Sequence, residues 1–231
     1  MVKRGRGKTR VGVRAEAAVR ILVVDDHPVV REGLAALIST QPDLKICGEA
    51  EDIAEALALI NRVRPDVAII DISLKSGSGI DLIKRIKARH AAVRILVWSM
   101  YPEHLYAERA LRAGAQGYVH KGRATREILD ALRAVVAGRV YLSGDLTDRL
   151  LQRLVGRSKS RGRSPVEILS DRELEAFELI GEGLTTSQIA QKMHVSLKTV
   201  ETYRARIKEK LDVKNVNELM QRAVQSRLES G

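Results

Sequence analysis

Five residues of catalytic type stand where a parallel sheet would gather them. Asp25 and Asp26 follow the apolar run Val19–Val24, Asp71 ends the run Val67–Ile70, Ser99 ends Arg94–Ser99, and Lys121 follows Gly117–Val119. In an open parallel sheet, ligands collect at the carboxyl ends of the strands. Three carboxylates in one crevice raise one another's pKa and cannot all stay ionised without a cation. A hard divalent ion with oxygen ligands resolves that conflict, and Mg²⁺ suits phosphate chemistry. One of the carboxylates can then act as a nucleophile towards a phosphoryl group. The metal, Lys121 and the Ser99 hydroxyl would neutralise the oxygens of that group. Singly, each residue has a plainer reading: an Asp pair after a strand is commonly a turn or cap feature, and a lone lysine or serine is commonly a surface group. The signal lies in their joint placement after strands one, three, four and five.

The elements that must hold these residues are legible in the same stretch. Short β-branched runs at Val19–Val24, Leu44–Cys47, Val67–Ile72, Arg94–Ser99 and Gly117–Val119 alternate with segments of helical period. Val30, Leu34, Leu37 and Ile38 share one helix face, as do Ile53, Leu57, Ile60 and Val63, and Ile128, Leu132, Val135 and Val136. Strand–helix alternation repeated in this way predicts a parallel sheet covered by helices on both faces. Gly138 is placed to end the last of these helices.

Beyond it, Leu146–Leu154 reads as a short helix, and the Gly-, Ser- and Arg-rich stretch from Gly156 to Pro165 as an exposed linker. The remainder lacks strand signals. Ser170 with Glu173 and Thr185 with Gln188 match capping boxes. Ser196 and Asn215 can cap two further helices, which makes a small four-helix unit. Within it, Thr186–Ala205 reads as helix, tight turn, helix, with Ile189 and Met193 facing Val200 and small Ala190 allowing close approach. Lys198, Arg204, Arg206, Lys208 and Lys210 lie on or near the outer side of the second helix, which suits a DNA major groove. A plain amphipathic hairpin with a solvated basic face is the competing reading of that pattern alone.

Composition narrows the classes. The 231 residues are 45% hydrophobic and 30% charged, with a formal net charge of +11, which favours a polyanionic partner. Aromatics at 3% argue against a base-stacking single-strand binder. Cys47 is the only cysteine, so neither an internal disulfide nor a cysteine-rich metal site is available, and a reducing, cytoplasmic setting is expected. No apolar run approaches the roughly 20 residues of a membrane span. The basic segment of residues 1–18, with Lys3, Arg4, Arg6, Lys8, Arg10 and Arg14, lacks an apolar core for a secretory signal and reads as a disordered arm.

Four segments carry a family resemblance: Ile21–Pro28, Asp71–Gly79, Ala113–Gly122 and Leu169–Leu219. They resemble the NarL/FixJ response regulators over nearly the whole chain apart from the basic arm and the linker. That resemblance implies a flavodoxin-like, doubly wound five-stranded receiver at 19–138. A linker with a short helix follows at 139–164, and a LuxR-type helix-turn-helix domain at 165–231. It implies a regulator, not an enzyme, phosphorylated on Asp71 by a histidine kinase and binding double-stranded DNA, as a homodimer once phosphorylated. By the same resemblance Asp26, Asp71 and the Ser73 carbonyl ligate Mg²⁺, Asp25 holds it through water, and Ser99 and Tyr118 form a switch pair in which Tyr118 turns inward. Lys75 stands where many receivers carry proline. Glu173, Gly183, Leu184, Ile189, Val195, Thr199, Val200, Ile207 and Leu211 fall on the LuxR-type pattern, whereas Tyr203 replaces the usual histidine.

The resemblance puts the DNA contacts on Lys198, Thr199, Glu201, Thr202, Arg204, Ala205 and Lys208, with Glu201, Thr202 and Ala205 facing bases. Two rivals are weaker. An aspartyl-phosphate hydrolase needs a second Asp two residues after its nucleophile, where Ser73 stands, and a phosphorelay adaptor has no use for the basic helix. For control, the basic recognition helix is expected to face the acidic crevice before phosphorylation. The face of the fourth helix and fifth strand is expected to pair receivers after it or to release the other domain. Leu219, Ala223 and Val216 are expected to pair the DNA-binding units.

Overall fold

The computed structural model describes residues 18–123, 125–154 and 165–228; the basic residues from Lys3 to Arg14 and most of the Gly156–Pro165 linker lie outside them. The first unit is built from β1 (Val19–Val24), α1 (Pro28–Ser39), β2 (Leu44–Ala50), α2 (Ile53–Val63), β3 (Val67–Ile70), β4 (Ser73–Leu74), β5 (Gly77–Ser78), α3 (Gly79–Arg89), β6 (Arg94–Ser99), α4 (Glu103–Ala113), β7 (Gly117–His120) and α5 (Thr125–Val136). The main sheet has five strands in the order β2-β1-β3-β6-β7, all parallel. Alternate residues of one strand feed opposite cores. Leu22, Val24, Ala68, Ile70, Ile95 and Val97 pack towards α2, α3 and α4, while Ile21, Val23, Val67, Ile69 and Leu96 pack towards α1 and α5. Each such Val, Ile or Leu contributes about 1.5–3 kcal/mol by leaving water, so the near-continuous β-branched runs belong to strands buried on both faces.

After β3 the chain does not run straight into its helix. β4 and β5 form a small antiparallel hairpin, pairing Ser73 with Ser78 and Leu74 with Gly77. Strands this short carry no readable period, and the sequence expectation of one run through Ile72 missed the break. The hairpin settles the loop containing Lys75, whose ammonium lies 3.3 Å from Glu51, while Ser76 Oγ accepts from the Ile53 amide at 3.0 Å. The return depends on Gly79, because a Cβ there would stand 2.0 Å from the Asp71 carbonyl oxygen.

Gly138 ends α5 with φ +77°, a conformation glycine adopts without strain, and its amide bonds to Val135 O at 2.9 Å. The chain then lies along the outer edge of β7: Tyr118 N donates to Tyr141 O at 3.0 Å and Tyr141 N to Gln116 O at 2.9 Å. Helix α6 (Gly144–Leu154) follows.

The second unit holds a 3₁₀ turn (Pro165–Ile168), α7 (Asp171–Gly181), α8 (Thr186–Lys192), α9 (Leu197–Leu211) and α10 (Val216–Leu228). Its starts are set by the caps expected from sequence. Ser170/Glu173 and Thr185/Gln188 form reciprocal capping boxes, Ser196 accepts from Thr199 N, and Asn215 Oδ1 accepts from Glu218 N at 2.9 Å. Each such cap is worth about 1 kcal/mol. Phe177, Ile180, Ile189, Met193, Val200, Ile207 and Leu211 form the core. Leu219 and Ala223, expected at a dimer seam, are buried in this core instead; Val216, Met220, Val224 and Leu228, spaced by four, are the exposed stripe of α10. No helix among the described residues is long and apolar enough to cross a membrane.

Candidate functional site

The carboxyl ends of β1, β3, β6 and β7 bring Asp25, Asp26, Asp71, Ser99 and Lys121 together. Lys121 Nζ donates to Asp25 Oδ2 and to Asp71 Oδ2, both at 2.6 Å. Asp71 Oδ1 accepts from the Ile72 amide at 2.6 Å and Asp25 Oδ1 from the His27 amide at 3.0 Å. Asp71 and Asp25 are buried at 4% and 2% exposure. Burial pushes the Asp71 carboxyl above its usual range; Lys121 opposes this and the Asp25 charge adds to it. Burial works against charge on Lys121, but Asp71 and Asp25 outweigh it and raise its pKa.

One ligand atom each from Asp25, Asp26, His27 and Asp71 lies within 4.8 Å of the others. Asp26 Oδ1 is buried without a hydrogen-bond partner; His27 Nδ1 is 2.8 Å away but outside hydrogen-bond geometry. An orphaned carboxylate oxygen beside two buried carboxylates fits a hard divalent cation. His27 was not among the residues expected here; its place directly after the Asp pair was the only signal. Ser73 begins β4, two residues beyond Asp71.

Ser99 is buried beside Asp71, and its hydroxyl favours the charged form of that carboxyl. It also accepts from Tyr101 N at 3.4 Å. Tyr118 is already 1% exposed, with its hydroxyl donating to Tyr101 O at 2.7 Å. The Tyr118 ring lies on the inside in this structure. Trp98 is half-buried against the α5 side of the sheet, with Lys121 Nζ 5.6 Å from its ring centroid.

On α9, Lys198, Glu201, Thr202 and Ala205 are exposed, and Thr199 and Lys208 are partly so. Thr199 Oγ1 is 2.8 Å from Ser196 Oγ, and Thr202 Oγ1 donates to Lys198 O at 2.9 Å. Arg204 is tied inward: Nη1 donates to Thr186 Oγ1 at 2.7 Å and Nε is buried without a partner. Tyr203 packs against the core. Glu173 bonds Lys210 Nζ at 2.5 Å, fixing the end of α9 to the start of α7.

The two units touch through α7 and the turn before α9. Glu175, 1% exposed, accepts from Tyr101 OH at 3.0 Å and from Ser73 Oγ at 3.3 Å. His194 Nε2 lies 3.5 Å from Asp26 Oδ2. Arg109 on α4 donates to Leu169 O at 2.8 Å, Val166 O at 3.1 Å and Asp171 Oδ1 at 3.1 Å. The expectation that the basic face of α9 meets the acidic crevice is overturned: that face is open to solvent, and an acidic helix docks instead. Tyr141 lies along the β7 edge.

Comparison with known proteins agrees with this geometry. Residues 21–133 match the family described as response regulator receiver domain, and residues 167–223 the bacterial regulatory proteins, luxR family. The chain is similar to the oxygen regulatory protein NreC of Staphylococcus haemolyticus, 36% identical over 214 residues that cover 91% of this chain and 99% of that one. Among solved structures it is similar to RcsB from Salmonella enterica bound to promoter rprA in the presence of phosphomimetic BeF3⁻. That pair is 26% identical with a TM-score of 0.61, covering 90% of this chain and 99% of the other. A second RcsB structure, of two dimers bound to two parallel DNAs, is 27% identical with a TM-score of 0.55, covering 89% and 98%.

Proposed function

The chain belongs to the two-component response regulators that join a receiver domain to a LuxR-type DNA-binding domain, and from that premise we propose that Asp71 is its phosphoacceptor and the outer face of α9 its DNA reader. Receiver domains bind Mg²⁺ at an acidic cluster, and here Asp26, Asp71 and the Ser73 carbonyl would hold it, with Asp25 reached through water and His27 beside them. Bound there, Mg²⁺ would supply positive charge to the phosphoryl oxygens. An Asp71 oxygen attacks phosphorus, the P–N bond to the kinase histidine breaks, and an acyl phosphate results. Lys121 and Ser99 then bond the new phosphoryl oxygens. The observation that carries this reading is the pair of 2.6 Å bonds from Lys121, which hold two buried carboxylates ready for a group that brings its own charge.

Receiver, linker and DNA-binding unit are assigned to 19–138, 139–164 and 165–231, in a cytoplasmic protein. Lys198 and Lys208 would bond phosphates, with Thr199 at the helix start. Glu201, Thr202 and Ala205 would face base edges, Glu201 accepting from cytosine N4. Arg204 reaches a phosphate only if it leaves Thr186. The exposed stripe of Val216, Met220, Val224 and Leu228 supports pairing of two copies on DNA. With radiolabelled acetyl phosphate and Mg²⁺, wild-type protein should label and Asp71→Asn should not. Normal labelling of the Asn variant would move the phosphoacceptor elsewhere.

A further inference from the structure

Asp26 is the carboxylate of the crevice that Lys121 leaves alone. Lys121 Nζ bonds Asp25 and Asp71, both at 2.6 Å. The Asp26 side chain is 9% exposed, and among the described residues its Oδ1 has no hydrogen-bond partner. Two imidazoles stand against it, one from each unit. His27 Nδ1 lies 2.8 Å from Asp26 Oδ1 and 3.4 Å from Asp25 Oδ1. His194 Nε2, in the turn before α9, lies 3.5 Å from the other oxygen of Asp26, Oδ2.

A 2.8 Å approach without a hydrogen bond is a costly contact between two polar atoms. With the ring proton on Nε2, His27 Nδ1 and Asp26 Oδ1 both present lone pairs, and a cation between them removes the cost. Ligand atoms on one ion with bonds of about 2.1 Å stand about 3–3.5 Å apart, and the three contacts fall around that spacing. Mg²⁺ is a hard ion that takes oxygen and has little use for imidazole. A carboxylate flanked by imidazole nitrogen suits Zn²⁺. We propose that Asp26, His27 and His194 form a site for an imidazole-binding divalent ion of the Zn²⁺ type, shared between the receiver and the DNA-binding domain, with Asp25 Oδ1 as the nearest further ligand. The inference rests on the reading of this crevice as a cation site and adds to it a second preference, set by nitrogen. Asp26 serves both ions, so Zn²⁺ and Mg²⁺ compete.

The test titrates the full chain calorimetrically with Zn²⁺ alone and with Mg²⁺ alone, as wild type, His27→Ala, His194→Asn and Asp26→Asn. Both histidine side chains are exposed, at 67% and 42%, so replacing them spares the fold. Asparagine also tolerates the φ of +53° at position 194. Each histidine variant should lose about tenfold or more in Zn²⁺ affinity, the loss that even an outer partner of a ligand produces on removal. Mg²⁺ affinity should stay within error of wild type in both, and Asp26→Asn should weaken both ions. Zn²⁺ affinity indifferent to both histidines marks an adventitious ion only and overturns the site. A loss confined to His27→Ala overturns the sharing between domains, and equal losses of both ions overturn the nitrogen preference. Mg²⁺ binding that survives Asp26→Asn would instead overturn the cation reading of the crevice beneath the proposal.

Discussion

The phosphorylation crevice and the recognition helix are both charged, yet they hold charge in opposite ways. In the crevice Asp25, Asp71 and Lys121 are bonded to one another out of water. On α9, Lys198, Glu201, Thr202 and Ala205 stand in solvent. A buried charge depends on its partners, and removing one leaves the others costly. An exposed charge is nearly free to change, and its value appears only when a polyanion arrives. Chemistry therefore sits where the fold enforces geometry, and recognition where the fold merely presents a surface.

The sharpest way to break this contrast is Lys121→Met. Without metal it leaves Asp25 and Asp71 unpaired, and stability should fall by about 3–5 kcal/mol in a denaturant titration. Mg²⁺ should recover a larger share of that loss in the variant than it adds to wild type. A variant as stable as wild type without metal would mean that the crevice is wetter than its burial implies. The helix should respond in the opposite way. Lys198→Ala should change stability by less than about 0.5 kcal/mol yet flatten the log–log salt dependence of DNA binding by about one unit. An unchanged slope, read by anisotropy over a salt series, would take Lys198 off the phosphates.

A third kind of charge is buried yet unpaired. Glu178 is buried in the second unit with Oε1 unpartnered, and burial pushes its pKa to about 7 from 4.5; Arg227 opposes this and Glu182 adds to it. The folded state holds this proton more tightly than the unfolded one. Its contribution, on the order of 2 kcal/mol, is therefore complete below the unfolded value and lost as pH rises through about 7. Tm should decline from pH 5 to pH 8 more steeply in wild type than in Glu178→Gln. Parallel profiles would show that Glu178 is hydrated.

The strands, the helix caps and the five crevice residues were readable because each is encoded locally: a run of β-branched residues, a Ser or Thr three before a Glu or Gln, an acid directly after a strand. What escaped was set by neighbours distant in sequence. Periodicity gave α10 an apolar face through Leu219 and Ala223, but α7 covers that face and leaves Val216 and Met220 outside. The type of Tyr118 was informative, whereas its inward orientation depends on the carbonyl of Tyr101. Arg204 read as a free cation until Thr186 came within 2.7 Å. Glu175 carried no signal for the receiver at all, since its bonds to Tyr101 and Ser73 span 74 and 102 positions.

The segment at Tyr141 gives the molecule a mechanical lead. On its way to the second unit the chain is fastened to the outside of β7 by the hydrogen bonds of Tyr141 with Tyr118 and Gln116. Tension on the linker, as when two copies grip one duplex, passes through α6, whose Leu146 and Leu150 pack into the core, and then through those bonds. They are anchored to the strand that carries Tyr118 and leads directly into Lys121. Beyond α6 the path runs along a strand, towards the place where the phosphoryl group would sit.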